Sequence, residues 1–202
     1  MQSGRPTPIF QIGFNKCGTA SIHYFLQRSG LQSLHWLRGI LARVMSGRID
    51  ANEDPIQDFP NAIGFTDMIA FGARKLIEPY KRFDYLHEWY PEGLFVLNTR
   101  DREKWIASRL SHVAGNIPLS ASYARFFKMS ETEVPDFWRA EWDTHHALVR
   151  EFFAGAPNFL EFDIEKDDPQ KLVSFIGARY PQVRNTPFYA HNVTPGERRI
   201  RS

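Results

Sequence analysis

The segment from Ile12 to Ser21, IGFNKCGTAS, has the glycine spacing of a phosphate-binding loop but not its lysine. In loops that bind nucleoside triphosphates, the second glycine is followed directly by Lys and then by Ser or Thr, which reach the phosphates and magnesium. Gly13 and Gly18 keep this spacing, whereas Thr19 takes the lysine position and Lys16 lies inside the loop. Backbone N–H groups at the start of the following helix would still bind a tetrahedral anion. The loop therefore predicts an anion site without the magnesium apparatus.

A second candidate follows the clearest predicted strand, LFVLNTR. This strand ends in Arg100, where a magnesium enzyme of this type would usually carry an aspartate. A guanidinium fork suits a phosphate, so the ligand is predicted to have two anionic groups. Asp67 ends another candidate strand. Because ligands of parallel sheets bind beyond the carboxyl ends of the strands, we expect the loop, Asp67 and Arg100 at one edge.

In these motifs the chain resembles the sulfotransferases that use 3′-phosphoadenosine 5′-phosphosulfate (PAPS). Their loop, of the type Lys-x-Gly-Thr-Thr or Ser-Ser, is matched by KCGTAS, and their strand-end Arg with a Ser eight positions later is matched by Arg100 and Ser108. The resemblance assigns the 5′-phosphosulfate to the loop and the 3′-phosphate to Arg100 and Ser108. Ala20 departs from the usual hydroxyl residue, which removes one side-chain donor and leaves the backbone N–H. The predicted donor-binding residues are Asn15, Lys16, Cys17, Gly18, Thr19, Ala20, Ser21, Arg100 and Ser108.

Two residues are predicted to be catalytic. Lys16 would stabilise the oxygen that leaves with the phosphate, and a solvated loop lysine is its structural alternative. Asp67 would act as the general base, and some members of the resembling family carry an Asp in a comparable place; a helix-cap or loop carboxylate is the equal alternative. Other branches use His or Glu, and neither His35 nor His112 can be matched to them.

Two further features favour structural roles. Cys17 has no evident partner base, so it is interpreted as a small loop residue rather than a nucleophile. His145 and His146 are neighbours on a predicted helix and point about 100° apart, which disfavours a shared metal ion. We expect His145 to be a hydrogen-bonded core histidine.

The composition restricts the kinds of partner and the cellular location that the chain is expected to have. Lys and Arg total 25 against 23 for Asp and Glu, which disfavours a nucleic-acid binder that relies on a broad basic field. No window approaches eighteen apolar residues and no secretory signal is visible, so no membrane partner and a cytoplasmic location are predicted. One cysteine excludes an intrachain disulfide.

We therefore expect a PAPS-dependent sulfotransferase whose acceptor is a hydroxyl or amine on a small molecule or carbohydrate, without a metal. The oligomeric state is left open. The alternatives are a phosphate-loop kinase or NTPase, and a non-catalytic nucleotide-binding module.

The elements that must position these residues alternate along the chain. We predict one α/β domain over residues 1–202, a three-layer parallel sheet with helices on both faces, of the P-loop nucleotide-hydrolase type. Arg198 and Arg199 in the tail are further weak candidates for the 3′-phosphate. Strands are predicted at 8–14, 62–67, 94–100 and 158–164, and helices at 19–30, around 37–44, at 73–83 with a break near Pro79, and at 102–113, 134–153 and 168–179.

Overall fold

The computed structural model describes residues 4–71, 76–114 and 117–189. Its main strands are β1 (Ile9–Gln11), β2 (Ser33–His35), β3 (Gly64–Thr66), β6 (Leu94–Thr99) and β9 (Phe159–Asp163), with the antiparallel pairs β4 (Ala70–Phe71) with β5 (Leu76–Ile77) and β7 (Val113–Ala114) with β8 (Ile117–Pro118). The helices are α1 (Thr19–Arg28), α2 (Ile40–Asp50), α3 (Phe83–Trp89), α4 (Arg102–Leu110), α5 (Leu119–Phe127), α6 (Val134–Phe152) and α7 (Pro169–Arg179). The five main strands form one parallel sheet in the order β2-β3-β1-β6-β9.

Helices cover both faces of this sheet. Along β1 and β6, Phe10 and Phe95 join one core cluster while Ile9 and Val96 join the other, as the two-residue period of a strand requires. The first cluster includes side chains from α2 to α6, and the second includes side chains from α1 and α7. Because both faces are buried, the central strands begin with apolar residues, and their polar residues, Gln11, Thr66, Asn98 and Thr99, lie at the carboxyl ends. The predicted α/β fold with a doubly covered parallel sheet is confirmed.

Most predicted elements are present with shorter bounds. The first strand stops at Gln11 rather than continuing to residue 14, because the Gly13 N–H turns to a side-chain oxygen of Asn98. The helix predicted at 19–30 ends at Arg28, and Gly30 follows in the left-handed conformation that suits a helix stop. The short strand β2 and helix α5 had no prediction. The assignment of residues 1–202 to one domain stays a prediction.

The prediction of a helix at 73–83 is wrong for residues 76–82, which the structure describes. Leu76–Ile77 is a strand, Pro79–Lys81 is a single 3₁₀ turn, and α3 begins only at Phe83. Pro79 has no N–H to donate and disfavours a helical conformation in the residue before it, so Glu78 lies at φ −136°. The proline therefore separates a strand from a helix instead of kinking one helix.

His145 and His146 are both buried structural residues. His145 Nε2 lies 2.7 Å from the Ile12 carbonyl, and His146 contacts the Trp142 carbonyl at 2.9 Å and Thr99 Oγ1 at 3.1 Å. Burial lowers the pKa of each to about 4, so both are neutral at physiological pH. The expectation of a hydrogen-bonded core histidine at position 145 is confirmed.

Within the described ranges, no helix is both long enough and apolar enough to cross a membrane.

Candidate active site

The loop between β1 and α1 is the first part of the site. Lys16 has φ 65° and Gly18 has φ 78°, so the chain turns sharply before α1 starts at Thr19. A Cβ on Gly18 would lie 1.7 Å from Ile164 Cδ1, and glycine is therefore required there for space as well as for conformation. Because α1 begins at Thr19, its N-terminus and the positive end of its helix dipole lie at this edge of the sheet.

Two side chains of α4 bind Asn15 through hydrogen bonds. Its carbonyl accepts a hydrogen bond from Trp105 Nε1 at 2.9 Å, and its Oδ1 accepts one from Arg109 Nε at 3.0 Å. The Arg109 guanidinium is almost fully buried, donates to Tyr123 Oη at 2.9 Å and lies over the rings of Trp105 and Trp138. The Asn15 side-chain oxygen thus faces the protein interior, and Arg109 places a buried positive charge under the loop.

Cys17 is completely buried. Burial raises the pKa of its thiol, so the thiolate is disfavoured. Its carbonyl accepts a hydrogen bond from Asn98 Nδ2 at 2.9 Å. These contacts fit a residue that shapes the loop.

Asp67 lies directly after β3 and close to Lys16. Its side chain is 18% exposed, and burial raises its pKa to about 6, although the charges of Lys16 and Arg109 act in the opposite direction. Burial also lowers the pKa of Lys16. The charge of Arg100 lowers it further, whereas the charge of Asp67 raises it. Asp67 Oδ1 is buried and has no hydrogen-bond partner among the described residues. The carboxylate is thus an available hydrogen-bond acceptor beside a cation.

His35 adjoins the other oxygen of this carboxylate. His35 Nε2 lies 3.8 Å from Asp67 Oδ2, and Nδ1 lies 2.9 Å from Thr66 Oγ1. Burial, with a smaller effect from His23 stacked at 5.1 Å, lowers the pKa of His35 to about 4. The Thr66 hydroxyl donates its proton to the Leu34 carbonyl at 3.0 Å, so the bond to His35 takes its proton from Nδ1. The unprotonated Nε2 of a neutral imidazole therefore faces Asp67.

Arg100 follows β6 and meets the loop. Its Nη1 donates to the Lys16 carbonyl at 3.3 Å, and its Nη2 forms an ion pair with Glu165. Glu165 also lies 3.5 Å from Lys104 Nζ. The arginine predicted to bind a phosphate is therefore paired with a carboxylate that follows β9.

Ser108 lies on α4 and is partly exposed. The helix begins after Asp101, whose side chain accepts the Lys104 N–H at 3.0 Å. The predicted donor site thus combines one loop, one strand end and one helix. Arg198 and Arg199 lie outside the described residues.

The structure adds five residues that the sequence reasoning did not place in the site: Gln11, His35, Asn98, Arg109 and Glu165. Gln11 carried a usable signal, because it is a polar residue within the predicted apolar strand 8–14, and so did Asn98, because it directly follows the buried apolar run LFVL. Glu165 carried another, since it follows a strand at the ligand-binding edge. Within the described residues, no group of three or more His, Cys, Asp or Glu side chains could hold a metal ion.

The chain matches a model of a known protein family. A family model described as a sulfotransferase domain matches residues 8–127, which is more than half of the 202-residue chain. The matched range extends from β1 through α5 and includes the loop, Asp67, Arg100 and Ser108, whereas Glu165 lies beyond it. A search of curated proteins found no match.

Proposed function

The chain belongs to the sulfotransferase domain family, and from that premise we propose that it transfers a sulfuryl group from PAPS to a hydroxyl or amine of a small molecule or carbohydrate. Sulfotransfer is the chemistry of the family, and the donor and acceptor are the proposed part. The observation that carries the proposal is the hydrogen bond from Arg100 Nη1 to the Lys16 carbonyl, at 3.3 Å. It joins two cationic residues, far apart in sequence, at one edge of the sheet.

The side chains at this edge fit a nucleotide with two anionic ends. The N–H groups at the start of α1, together with Lys16, suit the 5′ end, and Arg100 with Ser108 suits the 3′-phosphate. Glu165 must then release Arg100 or share it with the phosphate. PAPS, when bound, supplies the sulfuryl group.

Lys16 supplies the positive charge needed where negative charge develops on the departing oxygen. Its position inside the loop would bring the ammonium next to an anion bound there. Removing one such preorganised donor typically lowers kcat about 100- to 1,000-fold. Burial lowers the pKa of Lys16, whereas the negative charge of Asp67 raises it. The nearby carboxylate therefore helps to keep the ammonium charged.

Asp67 takes the proton from the hydroxyl or amine that receives the sulfuryl group. With a pKa of about 6, it is ionised at neutral pH yet more basic than an exposed aspartate. Its buried Oδ1, which has no hydrogen-bond partner among the described residues, is suited to an O–H or N–H of the acceptor. The neutral His35 leaves the proton to Asp67, because its own pKa is lower, about 4.

The test is incubation with PAPS that carries labelled sulfur, together with a panel of alcohols, phenols, amines and sugars. We expect label transfer by the wild type and a loss of about 100-fold or more in Lys16→Ala. Lys171→Ala is the matched control, because Lys171 lies on α7, is 45% exposed and forms an ion pair with Asp167, which is not a loop residue. Equal transfer by all three proteins would refute the role of Lys16.

Nucleotide binding separates the remaining alternatives. Preference for ATP with magnesium over adenosine 3′,5′-bisphosphate would support a kinase or NTPase and end the proposal. Tight binding of the bisphosphate without transfer to any acceptor in the panel would support a non-catalytic binding module.

A further inference from the structure

Two buried side-chain amides lie beneath the candidate site. Gln11 on β1 is 1% exposed and Asn98 on β6 is 0% exposed, and these strands are neighbours in the sheet. Buried polar groups persist where they are hydrogen-bonded, so their partners indicate their purpose. Here the partners belong to the loop and to Asp67.

Asn98 binds three backbone groups of the loop. Its Oδ1 accepts from Gly13 N at 3.0 Å, and its Nδ2 donates to the Phe14 carbonyl at 3.2 Å and the Cys17 carbonyl at 2.9 Å. A Cβ at position 13 would lie 2.3 Å from Asn98 Oδ1, so the close approach requires glycine. Asn98 therefore determines the path of the chain on both sides of Lys16.

Gln11 joins this arrangement to Asp67. Its Nε2 donates to the Gly13 carbonyl at 2.7 Å and to Asn98 Oδ1, while its Oε1 accepts from Asp67 N at 2.9 Å. Both donors and the acceptor oxygen of this amide are thus in use. One side chain contacts the loop, the neighbouring strand and the residue predicted to be the base.

Asp67 needs such support, because its backbone has φ 54°. Non-glycine residues in this left-handed region are strained and persist where surrounding contacts hold them. The bond from Asp67 N to Gln11 is one of these contacts, and the bond from Ile69 N to the Asp67 carbonyl at 2.9 Å is another. Losing the Gln11 bond would let the carboxylate turn away from Lys16.

We propose that Gln11 and Asn98 are positioning residues that hold Asp67 in register with the Lys16 loop, so that the proton acceptor and the leaving-group cation form one rigid unit. This inference rests on the proposed sulfotransfer. Asn98 bonds the loop, so its loss should affect donor binding. Gln11 is the one of the two that bonds Asp67, so its loss should affect turnover.

The test compares Gln11→Met with Leu172→Ala. Methionine keeps the length of the side chain and removes its hydrogen bonds, whereas Leu172 is a fully buried residue of the opposite core cluster, on α7. We expect Gln11→Met to lower kcat about 10- to 100-fold, as misplacement of a reacting group does, with less than about a threefold change in the Kd of adenosine 3′,5′-bisphosphate. Leu172→Ala should lower the Tm but keep kcat at 20 to 25 °C. Asn98→Leu should weaken bisphosphate binding.

A double-mutant cycle shows whether Gln11 acts through Asp67. If it does, adding Gln11→Met to Asp67→Asn should lower the residual kcat by less than about twofold, because the group that Gln11 positions is already gone. Multiplication of the two losses would overturn the proposal, and so would an unchanged kcat in Gln11→Met alone. A wild type without turnover would instead refute sulfotransfer itself.

The wild type provides a second measurement in case Gln11→Met does not fold. The amide proton of Asp67, bound to Gln11 Oε1, should be protected from solvent exchange, and its NMR signal should shift when adenosine 3′,5′-bisphosphate fills the loop. An Asp67 amide that exchanges freely and does not respond to the nucleotide would overturn the coupling.

Discussion

Asp67→Asn should make the protein more stable while removing its proton acceptor. Burial lifts the pKa of this carboxyl from 3.8 to about 6, so keeping it ionised in the folded state costs up to about 3 kcal/mol at neutral pH. Asparagine has nearly the same shape, carries no charge and tolerates the left-handed backbone found here, φ 54°. For a chain of this length, about 3 kcal/mol corresponds to a rise in Tm of about 6 to 12 °C. The charges of Lys16 and Arg109 already offset part of the cost of burial in this pKa, so the figure is the net cost of the ionised carboxylate.

The size of the effect changes with pH in a defined window. Well below pH 4, near pH 3, the carboxyl is neutral in both the folded and the unfolded chain and costs nothing. As the pH rises from about 4 to 6, the unfolded chain loses its proton first, so the folded wild type loses stability relative to Asp67→Asn. The difference in Tm should therefore be largest above pH 6 and small at pH 4.

Thermal unfolding of both proteins between pH 4 and pH 8 measures this difference. Asp143→Asn is the control, because Asp143 is 61% exposed and pairs with Arg102 on the surface, where its loss should change stability by less than about 1 kcal/mol. An Asp67→Asn protein that is less stable than the wild type at pH 7 would refute the reasoning. A stabilisation that does not depend on pH would refute it as well.

Three further outcomes follow from the same site. If Asp67 must be ionised, kcat should fall about tenfold between the plateau above pH 7 and pH 5, as a pH–rate profile would show; a flat acid limb would exclude Asp67 as the base. Glu165→Gln should strengthen binding of adenosine 3′,5′-bisphosphate about three- to tenfold by calorimetry, because the ion pair with Arg100 no longer competes; unchanged or weaker binding would contradict this competition. Gly18→Ala should lower stability by more than the roughly 1 to 2 kcal/mol of left-handed strain and weaken nucleotide binding, since its Cβ would clash with Ile164. The control Gly30→Ala has similar strain, with φ 75°, but open space, and equal losses in Tm would argue against a tightly packed loop.

The positions of Lys16, Asp67 and Arg100 could be predicted from the sequence because each one follows a local pattern, whereas Ser108 was predicted from the family resemblance. The pattern of a short apolar strand, a glycine turn and an amphipathic helix predicted that Lys16 lies in an anion-binding loop. The end of the next clear strand predicted the position of Arg100. Asp67 was predicted from the same rule of strand ends. These positions follow from periodicity and turn chemistry within about ten residues, and parallel pairing then places all the strand ends at one edge.

The contacts of these residues could not be predicted in the same way. Gln11 and Asn98 are 87 positions apart, and Arg109 contacts Asn15 across 94 positions. Such contacts depend on strand order, register and side-chain direction, none of which a local pattern determines. The error at 73–83 has a related origin, because the apolar spacing of this short segment fits a helix as well as a strand, and Pro79 decided between them.

The sequence by itself determined the chemical groups and the edge of the sheet where they meet, since both follow from residue type and local periodicity. Only the tertiary structure decided their working state. Burial raises the pKa of Asp67 and leaves His35 neutral beside it. Glu165 forms an ion pair with Arg100, and buried side-chain amides hold the loop through hydrogen bonds. The physical reason is that desolvation and hydrogen bonding depend on which distant segments surround a group, and folding alone brings those segments together.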